Sequence, residues 1–246
     1  MRYNLQLFAK EGPGGEKTED ATPKKLQDAR KEGQVCKSRE LGSACGLLAF
    51  FLLLKVLVGR IGIEFIEIFS YVYERIPDMV KLVGGDISAK DFTWFISFIL
   101  IRISIIVLPV FAVGVIVAFV VDLVQVKWQP TAKPLQPKGS KLNPIKGVKK
   151  LFSKDKLFEL LKSVVKVIIM SWLVISTLKN KLAVIFALFD VKLITGIKII
   201  GTIAIDLGIK ISVVYLIIGF GDLLYQKWKF KEDMKMTKQE VKDEWK

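Results

Sequence analysis

The sequence predicts an all-α integral membrane protein with four transmembrane helices, arranged as two helical hairpins joined by a long basic cytoplasmic loop. Hydrophobic residues make up 52% of the 246 positions, and the mean hydropathy is +0.41, yet the net charge is +14. Soluble domains rarely combine these values. Four segments approach the roughly 20 apolar residues that cross a hydrocarbon core. They lie at about residues 41–58, 94–121, 160–178 and 194–221.

The distribution of Lys and Arg predicts the orientation of these spans. Residues 1–40 carry nine basic residues, 122–163 carry ten and 222–246 carry seven. The two intervening connections, 59–93 and 179–193, carry only four and three. Because cytoplasmic segments are enriched in Lys and Arg, we expect both termini and the central loop to be cytoplasmic.

The predicted domain order follows from these spans. Residues 1–40 form a cytoplasmic arm, and residues 41–221 form the transmembrane domain, which includes the cytoplasmic loop 122–159. Residues 222–246 begin a cytoplasmic linker helix. The arm has no apolar stretch that would make it a signal peptide.

Capping residues predict a short helix in the arm. Thr22 is a good N-cap residue, Pro23 suits the first helical position, and Gly33 is a natural terminator. We therefore expect a helix over about residues 23–32, which would be marginally stable alone. The composition of the arm alone is typical of a solvated, positively charged segment that fixes the membrane topology.

Charged residues within the second and third spans need partners. Arg102 would cost about 2.5–3.5 kcal/mol at the bilayer centre, so we expect it near an interface, paired, or facing protein. Lys166 lies near the cytoplasmic end of the third span. A segment after the first span sets Glu64 and Glu67 opposite an apolar helical face, which is typical of packing on the outer leaflet or on a neighbouring subunit.

The fourth span carries a polar stripe. Lys198, Thr202, Asp206 and Lys210 follow one another at intervals of four and drift slowly around one helix face. Asp206 and Lys210 are predicted to form an ion pair, and the alternative is that the stripe faces a hydrated crevice. Gly208, four residues after a small alanine, predicts a close approach to another helix.

The central loop is the predicted contact surface. Its prolines keep residues 129–140 extended, and Asn143 with Pro144 starts a short basic helix. Physical chemistry leaves three interpretations: contact with anionic lipid, contact with a protein, and the less favoured nucleic acid, because the aromatic residues do not interleave with the charges. The candidate contact residues are Pro130, Pro134, Pro137, Lys141, Asn143, Pro144, Lys146, Gly147, Lys149, Lys150 and Phe152.

Several motifs together resemble the FlhB family of type III export proteins, whose injectisome members include YscU, SpaS and EscU. The arm sequence GEKTEDATPKKLQDARKEGQV at 15–35, with KSREL after it, resembles the family's N-terminal signature. KLNPIKGVKKLFS at 141–153, GDLLYQKWKF at 221–230 and MKMTKQEVKDEWK at 234–246 also fit. LQLFA near the N-terminus looks more flagellar than injectisome-like.

The resemblance implies a partner for the loop. In this family the loop is thought to wrap around the cytoplasmic entrance of the export gate formed by the FliP, FliQ and FliR proteins. FlhA and secreted flagellar subunits are further implied partners. Asp222 matches an acid in the family motif, and two roles remain open for it: an interfacial partner for lysines, or a carboxylate that couples charge to gate opening.

The sequence argues against enzymatic chemistry. It has no histidine, and Cys36 and Cys45 lack metal-binding spacing. We therefore expect no catalytic, metal or cofactor site. Family members cleave themselves at Asn-Pro-Thr-His, but Asn143 and Pro144 are followed by Ile and Lys, so the true motif would lie beyond Lys246.

The C-terminal residues predict the start of a linker. Met236 and Thr237 interrupt a helical segment, and Thr237 with Glu240 matches a capping box that starts a second helix through Glu244. The sequence stops within this helix without a C-cap signal. A truncated chain that lacks the family's specificity switch is therefore expected.

The predicted function is flagellar biosynthesis and type III protein export, in the bacterial inner membrane at the flagellar basal body. The chain would be a non-enzymatic gate component whose loop docks on the gate entrance and helps open it. Two alternatives remain: an injectisome protein of the same family, and a small-molecule membrane transporter. The unlike halves of the chain argue against the transporter, because transporters usually contain repeated halves.

Overall fold

The computed structural model describes residues 16–82, 89–128, 130–131 and 154–244. Within these ranges the chain is helical, as predicted, and an isolated antiparallel bridge joins Glu19 to Met236. The helices are α1 Pro23–Lys31, α2 Arg39–Leu82, α3 Ala89–Val126, α4 Lys154–Lys179, α5 Leu182–Phe186, α6 Leu193–Asp233 and α7 Lys238–Glu244, with a 3₁₀ turn at Ala187–Asp190.

Among the residues that the structure describes, three helices are long and apolar enough to cross a membrane. The segments are Arg39–Pro77 in α2, Phe92–Val126 in α3 and Leu193–Asp233 in α6. The fourth predicted span, residues 160–178, falls within α4. Its crossing of the membrane and the arrangement of the spans as two hairpins stay predictions.

The first helix of the membrane domain is much longer than its predicted span. α2 has 44 residues and continues through the segment that contains Glu64 and Glu67. At 1.5 Å per residue it is about 66 Å long, roughly twice the thickness of a hydrocarbon core. One end of α2 must therefore extend beyond the apolar layer.

The chain divides into two compact units. The first comprises Met1–Leu41, Asp122–Ile168 and Ile217–Lys246. The second comprises Gly42–Val121 and Ile169–Leu216. The long helices contribute residues to both units, so sequence order alone does not define them.

The ends of α1 are built as the sequence predicts. The Thr22 hydroxyl accepts a hydrogen bond from the Lys25 backbone N–H at 3.2 Å, and Pro23 occupies the first turn. Gly33 follows the helix with a φ of 78°, a conformation that glycine adopts without steric cost. α1 ends at Lys31, one residue before the predicted boundary.

Two glycines of α6 permit close contact with α2, one in each unit. In the first unit, a Cβ on Gly219 would lie 2.9 Å from the Leu41 Cα atom. In the second unit, a Cβ on Gly208 would overlap the ring of Phe51. The close approach predicted at Gly208 is therefore confirmed, and any side chain at either position would push α6 away from α2.

Candidate functional site

Asp222 is the centre of a polar network in the first unit. Its carboxylate accepts hydrogen bonds from the Ser38 hydroxyl at 2.7 Å and from the Lys162 ammonium at 2.8 Å. The side chain of Asp222 is only 10% exposed. Because the two donors come from α4 and from the residue before α2, one carboxylate of α6 joins three parts of the chain.

Ser38 connects this carboxylate to a further helix. The Ser38 hydroxyl accepts a hydrogen bond from the Leu41 backbone N–H at 3.2 Å, so it caps the start of α2. The Ser38 backbone N–H donates to the side-chain carbonyl of Gln125, near the end of α3, at 2.8 Å. Ser38 is fully buried. We call Ser38, Gln125, Lys162 and Asp222 the Asp222 network.

Sequence analysis identified Asp222 but missed Ser38, Gln125 and Lys162. A serine directly before a helix that begins Arg-Glu is a recognisable N-cap signal. No comparable signal marks Gln125. It is a polar side chain at the end of a long apolar helix, and its Nε2 atom is buried without a hydrogen-bond partner among the described residues.

Two ion pairs flank the network. The Lys37 ammonium lies 2.6 Å from the Asp122 carboxylate, and the Lys166 ammonium lies 2.5 Å from the Glu40 carboxylate. The first pair is well exposed and so adds little stability. The second explains how Lys166, one of the predicted membrane charges, is accommodated within α4.

An aromatic cluster covers the network on one side. The Tyr225 ring lies 5.2 Å from the Phe158 ring and 6.0 Å from the Trp228 ring, measured between centroids. The Lys162 ammonium lies 4.5 Å from the centroid of Tyr225, within the range of a cation–π contact. The ring of Tyr225 therefore holds the Lys162 ammonium from a second side, in addition to the Asp222 carboxylate.

A second set of contacts joins the arm to the linker. Glu19 and Met236 exchange two backbone hydrogen bonds, of 3.0 Å and 2.8 Å. Ion pairs join Lys231 to Asp20 at 3.2 Å and Lys25 to Glu240 at 3.5 Å. We call these contacts between residues 19–25 and 231–244 the arm–linker clasp.

Side chains at the start and end of α7 complete the clasp. The Thr22 hydroxyl, which caps α1, also donates to the Glu244 carboxylate. The side chains of Met236 and Thr237 are almost fully buried, with 2% and 1% exposure. Met236 and Thr237, which interrupt the C-terminal helical segment as predicted, therefore form a buried contact rather than a solvated hinge.

The predicted capping box of α7 is present. The Glu240 carboxylate accepts from the Thr237 backbone N–H at 3.1 Å, and the Thr237 hydroxyl accepts from the Glu240 N–H at 3.2 Å. The Thr237 N–H holds the pKa of Glu240 below its ordinary value, against a smaller effect of burial and with help from Lys25 and Lys17. The cap is therefore strongest when Glu240 is ionised.

Arg102 is paired in the second unit, as the sequence predicts. Its guanidinium lies 2.9 Å from the Glu64 carboxylate and 3.0 Å from that of Glu67, and 5.3 Å from the Phe98 ring centroid. Both carboxylates lie on α2. The two glutamates therefore neutralise Arg102, in addition to the predicted role of the α2 polar face in surface packing.

The predicted pair of Asp206 with Lys210 is wrong. Asp206 instead lies 3.1 Å from the ammonium of Lys55, on α2. Spacing of four residues permits contact along one helix, but a lysine on a neighbouring helix competes for the same carboxylate. Lys210 lines a crevice together with Lys55 and Asp206, which agrees with the alternative of a polar crevice.

Most of the predicted loop contact residues lie outside the described residues. Pro130 is described and is exposed. Beside it, the Thr131 hydroxyl donates to the Lys31 backbone carbonyl at 2.8 Å, so the start of the loop contacts the end of α1. The contact residues outside the described ranges are Pro134, Pro137, Lys141, Asn143, Pro144, Lys146, Gly147, Lys149, Lys150 and Phe152.

The described residues offer no metal site. In residues 16–82, 89–128, 130–131 and 154–244, no three Cys, Asp or Glu side chains come together in a way that could hold a metal ion.

Burial raises the pKa of the Cys36 thiol, partly offset by the charge of Lys227, so the thiol is less easily ionised than a free cysteine.

The fold and the site together define the class of protein. Long apolar helices in which Arg102 and Asp222 are paired with charges on neighbouring helices are those of an α-helical integral membrane protein. The chain belongs to the FlhB, HrpN, YscU and SpaS family, because the model of that family matches residues 15–246. The resemblance found in the sequence motifs is thereby confirmed.

Named relatives span both branches of the family. The chain is 32% identical over 246 residues to the flagellar biosynthetic protein FlhB of Bacillus subtilis, covering all of this chain and 65% of that protein. It is 30% identical over 236 residues to the Yop proteins translocation protein U of Yersinia pestis, and 31% identical over 233 residues to the secretion system apparatus protein SsaU of Salmonella typhimurium. These two alignments cover 94% and 93% of this chain, respectively, and 63% of each relative.

Proposed function

We propose that this chain is a non-enzymatic membrane component of the flagellar type III protein export apparatus. Its cytoplasmic loop docks on the entrance of the export gate and helps it open. Membership of the family and the names of the flagellar relatives support the export role. The observation that carries the docking role is the Asp222 network, because it ties both sides of the loop to one carboxylate.

The two sides of the loop enter the network through different residues. Gln125 lies at the end of α3, where the loop begins, and Lys162 lies just after the loop, in the first turns of α4. Both connect to α6 through Ser38 and Asp222. A partner that pulls on the loop would therefore act on α6, and this linkage gives docking a route to the membrane helices.

The composition of the loop suits docking on a protein. Three prolines, at 130, 134 and 137, stiffen its first part, so less conformational entropy is lost when it binds. Five lysines between 141 and 154 supply positive charge to an acidic surface. The proposed partners of the loop are FliP, FliQ and FliR, with FlhA and exported flagellar subunits as further contacts of the assembly.

The arm–linker clasp supports a link to substrate switching. The chain spans 65% and 63% of the length of two of these relatives. In a longer protein α7 would lead into the following part, and the clasp would hold the start of α7 against the arm. We propose that the clasp transmits the state of the membrane domain to that part, where the specificity switch resides.

The proposed orientation has four spans and both termini in the cytoplasm of a bacterial inner membrane. The basic residues that follow α3, those in the first turns of α4 and those of the linker support this orientation. α4 supplies the remaining span in this arrangement. The Asp222 network and the arm–linker clasp would then both lie on the cytoplasmic side, where export substrates arrive.

Co-purification tests the docking role. The chain is expressed in membranes with FliP, FliQ and FliR of the same organism, and compared with a variant in which residues 129–150 are replaced by Gly and Ser. We expect the intact chain to retain the gate proteins and the variant to lose them. A second variant, with the same 22 residues in scrambled order, keeps the charge and the composition. Retention of the gate proteins by this scrambled control would contradict docking and favour a role of the loop in lipid contact.

A further inference from the structure

A polar crevice lies within the second unit, between α2, α4, α5 and α6. Its volume is about 520 Å³. Four lysines line it, Lys55, Lys181, Lys198 and Lys210, against a single carboxylate, Asp206. We call it the lysine crevice.

The charges in the crevice do not balance. Asp206 is bound to Lys55 at 3.1 Å. Lys181, Lys198 and Lys210 form no ion pair with any carboxylate in the described part of the chain. Four ammonium groups against one carboxylate leave the lining positively charged, so the crevice favours an anionic ligand.

The mouth and the interior of the crevice differ in depth. Lys198 is five residues from the start of α6, which is about 7.5 Å along the helix axis, and Lys181 precedes α5 in the same connection. Asp206 is thirteen residues into α6, about 20 Å from its start. The mouth therefore faces the bilayer surface near residues 180–192, and the Lys55 and Asp206 pair lies deeper.

The lining of the crevice fits an amphipathic ligand. Hydroxyl groups of Thr177 and Thr195 accompany the two lysines of the mouth and can donate hydrogen bonds to an anion. Aliphatic side chains line the wall beyond them, including Ile199, Ile203 and Leu207. A small inorganic anion would use the first group only, whereas a phospholipid would use both.

We propose that the lysine crevice binds an anionic phospholipid. Lys181 and Lys198 contact the headgroup phosphate, and the aliphatic wall holds part of an acyl chain. The lipid comes from the leaflet that faces residues 180–192, which in the proposed orientation is the outer leaflet. This binding goes beyond the export role and is independent of it, because it requires only the folded chain in a bilayer.

Amine footprinting on the unaltered chain tests the proposal. The chain is reconstituted in phosphatidylcholine nanodiscs with or without phosphatidylglycerol, and acetylation of each lysine is followed by mass spectrometry. Phosphatidylglycerol should slow acetylation of Lys181 and Lys198 several-fold relative to Lys179 and Lys192, which lie in the same connection but do not line the crevice. Equal slowing of all four lysines would overturn the proposal.

A third condition of the same experiment tests a free anion. Inorganic phosphate, added to phosphatidylcholine nanodiscs, should leave Lys181 and Lys198 unprotected. Protection by phosphate equal to that by phosphatidylglycerol would assign the crevice to free anions and overturn the lipid. No protection by either phosphatidylglycerol or phosphate would also overturn the lipid proposal. An acidic segment of a protein partner would then remain as the counter-charge.

Matched variants provide a second measurement. Native mass spectrometry should detect retained phosphatidylglycerol on the unaltered chain and several-fold less on Lys181→Gln with Lys198→Gln. The control, Lys179→Gln with Lys192→Gln, removes the same charge outside the crevice and should retain the lipid. Equal lipid loss in both double variants would show charge alone at work and would contradict a specific site.

Discussion

Asp222 and Asp122 show how the surroundings of a carboxylate decide its contribution to stability. Both lie in the first unit, and both bind a lysine. Asp222 is 10% exposed and accepts two hydrogen bonds, whereas Asp122 is 49% exposed. An exposed pair is screened by water, so the free energy of unfolding should depend on Asp222 far more than on Asp122.

Replacing these two residues tests that difference. Asp222→Asn loses the charge that binds Lys162 and should lower the free energy of unfolding by about 1.5–3 kcal/mol, the range for hydrogen bonds to charged groups. Asp122→Asn, the matched control, should cost about 0–1 kcal/mol. Thermal unfolding in detergent ranks the two variants, and an equal effect would contradict the special role of Asp222.

The same substitution tests a role in the gate. If Asp222 couples the loop to α6, then Asp222→Asn should reduce secretion of flagellar subunits while the protein still inserts into the membrane. Asp122→Asn should secrete normally. Normal secretion by Asp222→Asn across a range of pH would leave Asp222 as a purely structural partner of Ser38 and Lys162.

Arg102 provides a test of charge balance within the second unit. Arg102→Met leaves Glu64 and Glu67 without their cation, so we expect several-fold less inserted protein. Adding Glu64→Gln and Glu67→Gln to this variant removes the unpaired charges and should restore insertion. Membrane fractionation and immunoblotting measure both variants. Failure of the triple variant to recover would argue against mutual neutralisation.

Sequence reasoning predicted which charges need partners better than it predicted the partners. It expected Arg102 to lie near an interface, to be paired, or to face protein, but it did not name Glu64 and Glu67, which are 38 and 35 positions away on another helix. It paired Asp206 within its own helix, whereas the partner is Lys55. Helical periodicity describes neighbours on one helix, and it contains no information about which helix packs alongside.

The arm–linker clasp explains why two short helices persist. α1 has nine residues and α7 has seven, below the roughly 12–15 that isolated helices need for stability in water. Caps at their starts satisfy backbone N–H groups, and the Glu19 and Met236 bridge fixes one against the other. Much of the stability of each helix should therefore depend on its contact with the other.

Disulfide cross-linking tests the bridge. Residues that exchange both backbone hydrogen bonds in an antiparallel pair have Cα atoms about 5.5 Å apart, within the range of a disulfide. In a background with Cys36→Ser and Cys45→Ser, the pair Glu19→Cys with Met236→Cys should cross-link on mild oxidation. Glu32→Cys with Met236→Cys, at the far end of α1, is the control. Electrophoresis after proteolysis between the sites detects the link, and equal cross-linking of both pairs would contradict the bridge.

The cap of α7 should respond to acid. The pKa of Glu240 is lowered in the folded chain, so its contribution is present above the ordinary glutamate pKa and is lost as the pH falls through the folded value. With ¹⁵N-threonine labelling, the Thr237 amide resonance should titrate with a midpoint below about 4.3, the value for unperturbed glutamate. Glu240→Gln should abolish that titration. A midpoint at or above the ordinary value would contradict the cap.

The ends of short helices were predictable where the residues that determine them lie close together in the sequence. Thr22, Pro23 and Gly33 predicted α1 to within one residue, and Thr237 with Glu240 predicted the start of α7. The bridge itself was not predictable, because Glu19 and Met236 are 217 positions apart. A single bridged residue also lacks the alternating pattern that identifies a strand.

At the scale of the whole molecule, the described helices keep most of their apolar surface exposed. The most hydrophobic windows of the three membrane-length helices are 6%, 0% and 17% buried. Hydropathy predicted these helices because it depends on composition, but it did not give the length of α2, which continues past the predicted span through Glu64, Glu67 and Pro77 to Leu82. Lipid and partner proteins are the environments that such a surface fits.

We propose that flagellar protein export requires this chain and its cytoplasmic loop. The most direct test deletes its gene and measures flagellar subunits in the culture medium. We predict that export stops, that the unaltered gene restores it, and that the gene with residues 129–150 scrambled does not, although the scrambled protein reaches the membrane. Normal export in the deletion strain, or full restoration by the scrambled loop, would contradict the account.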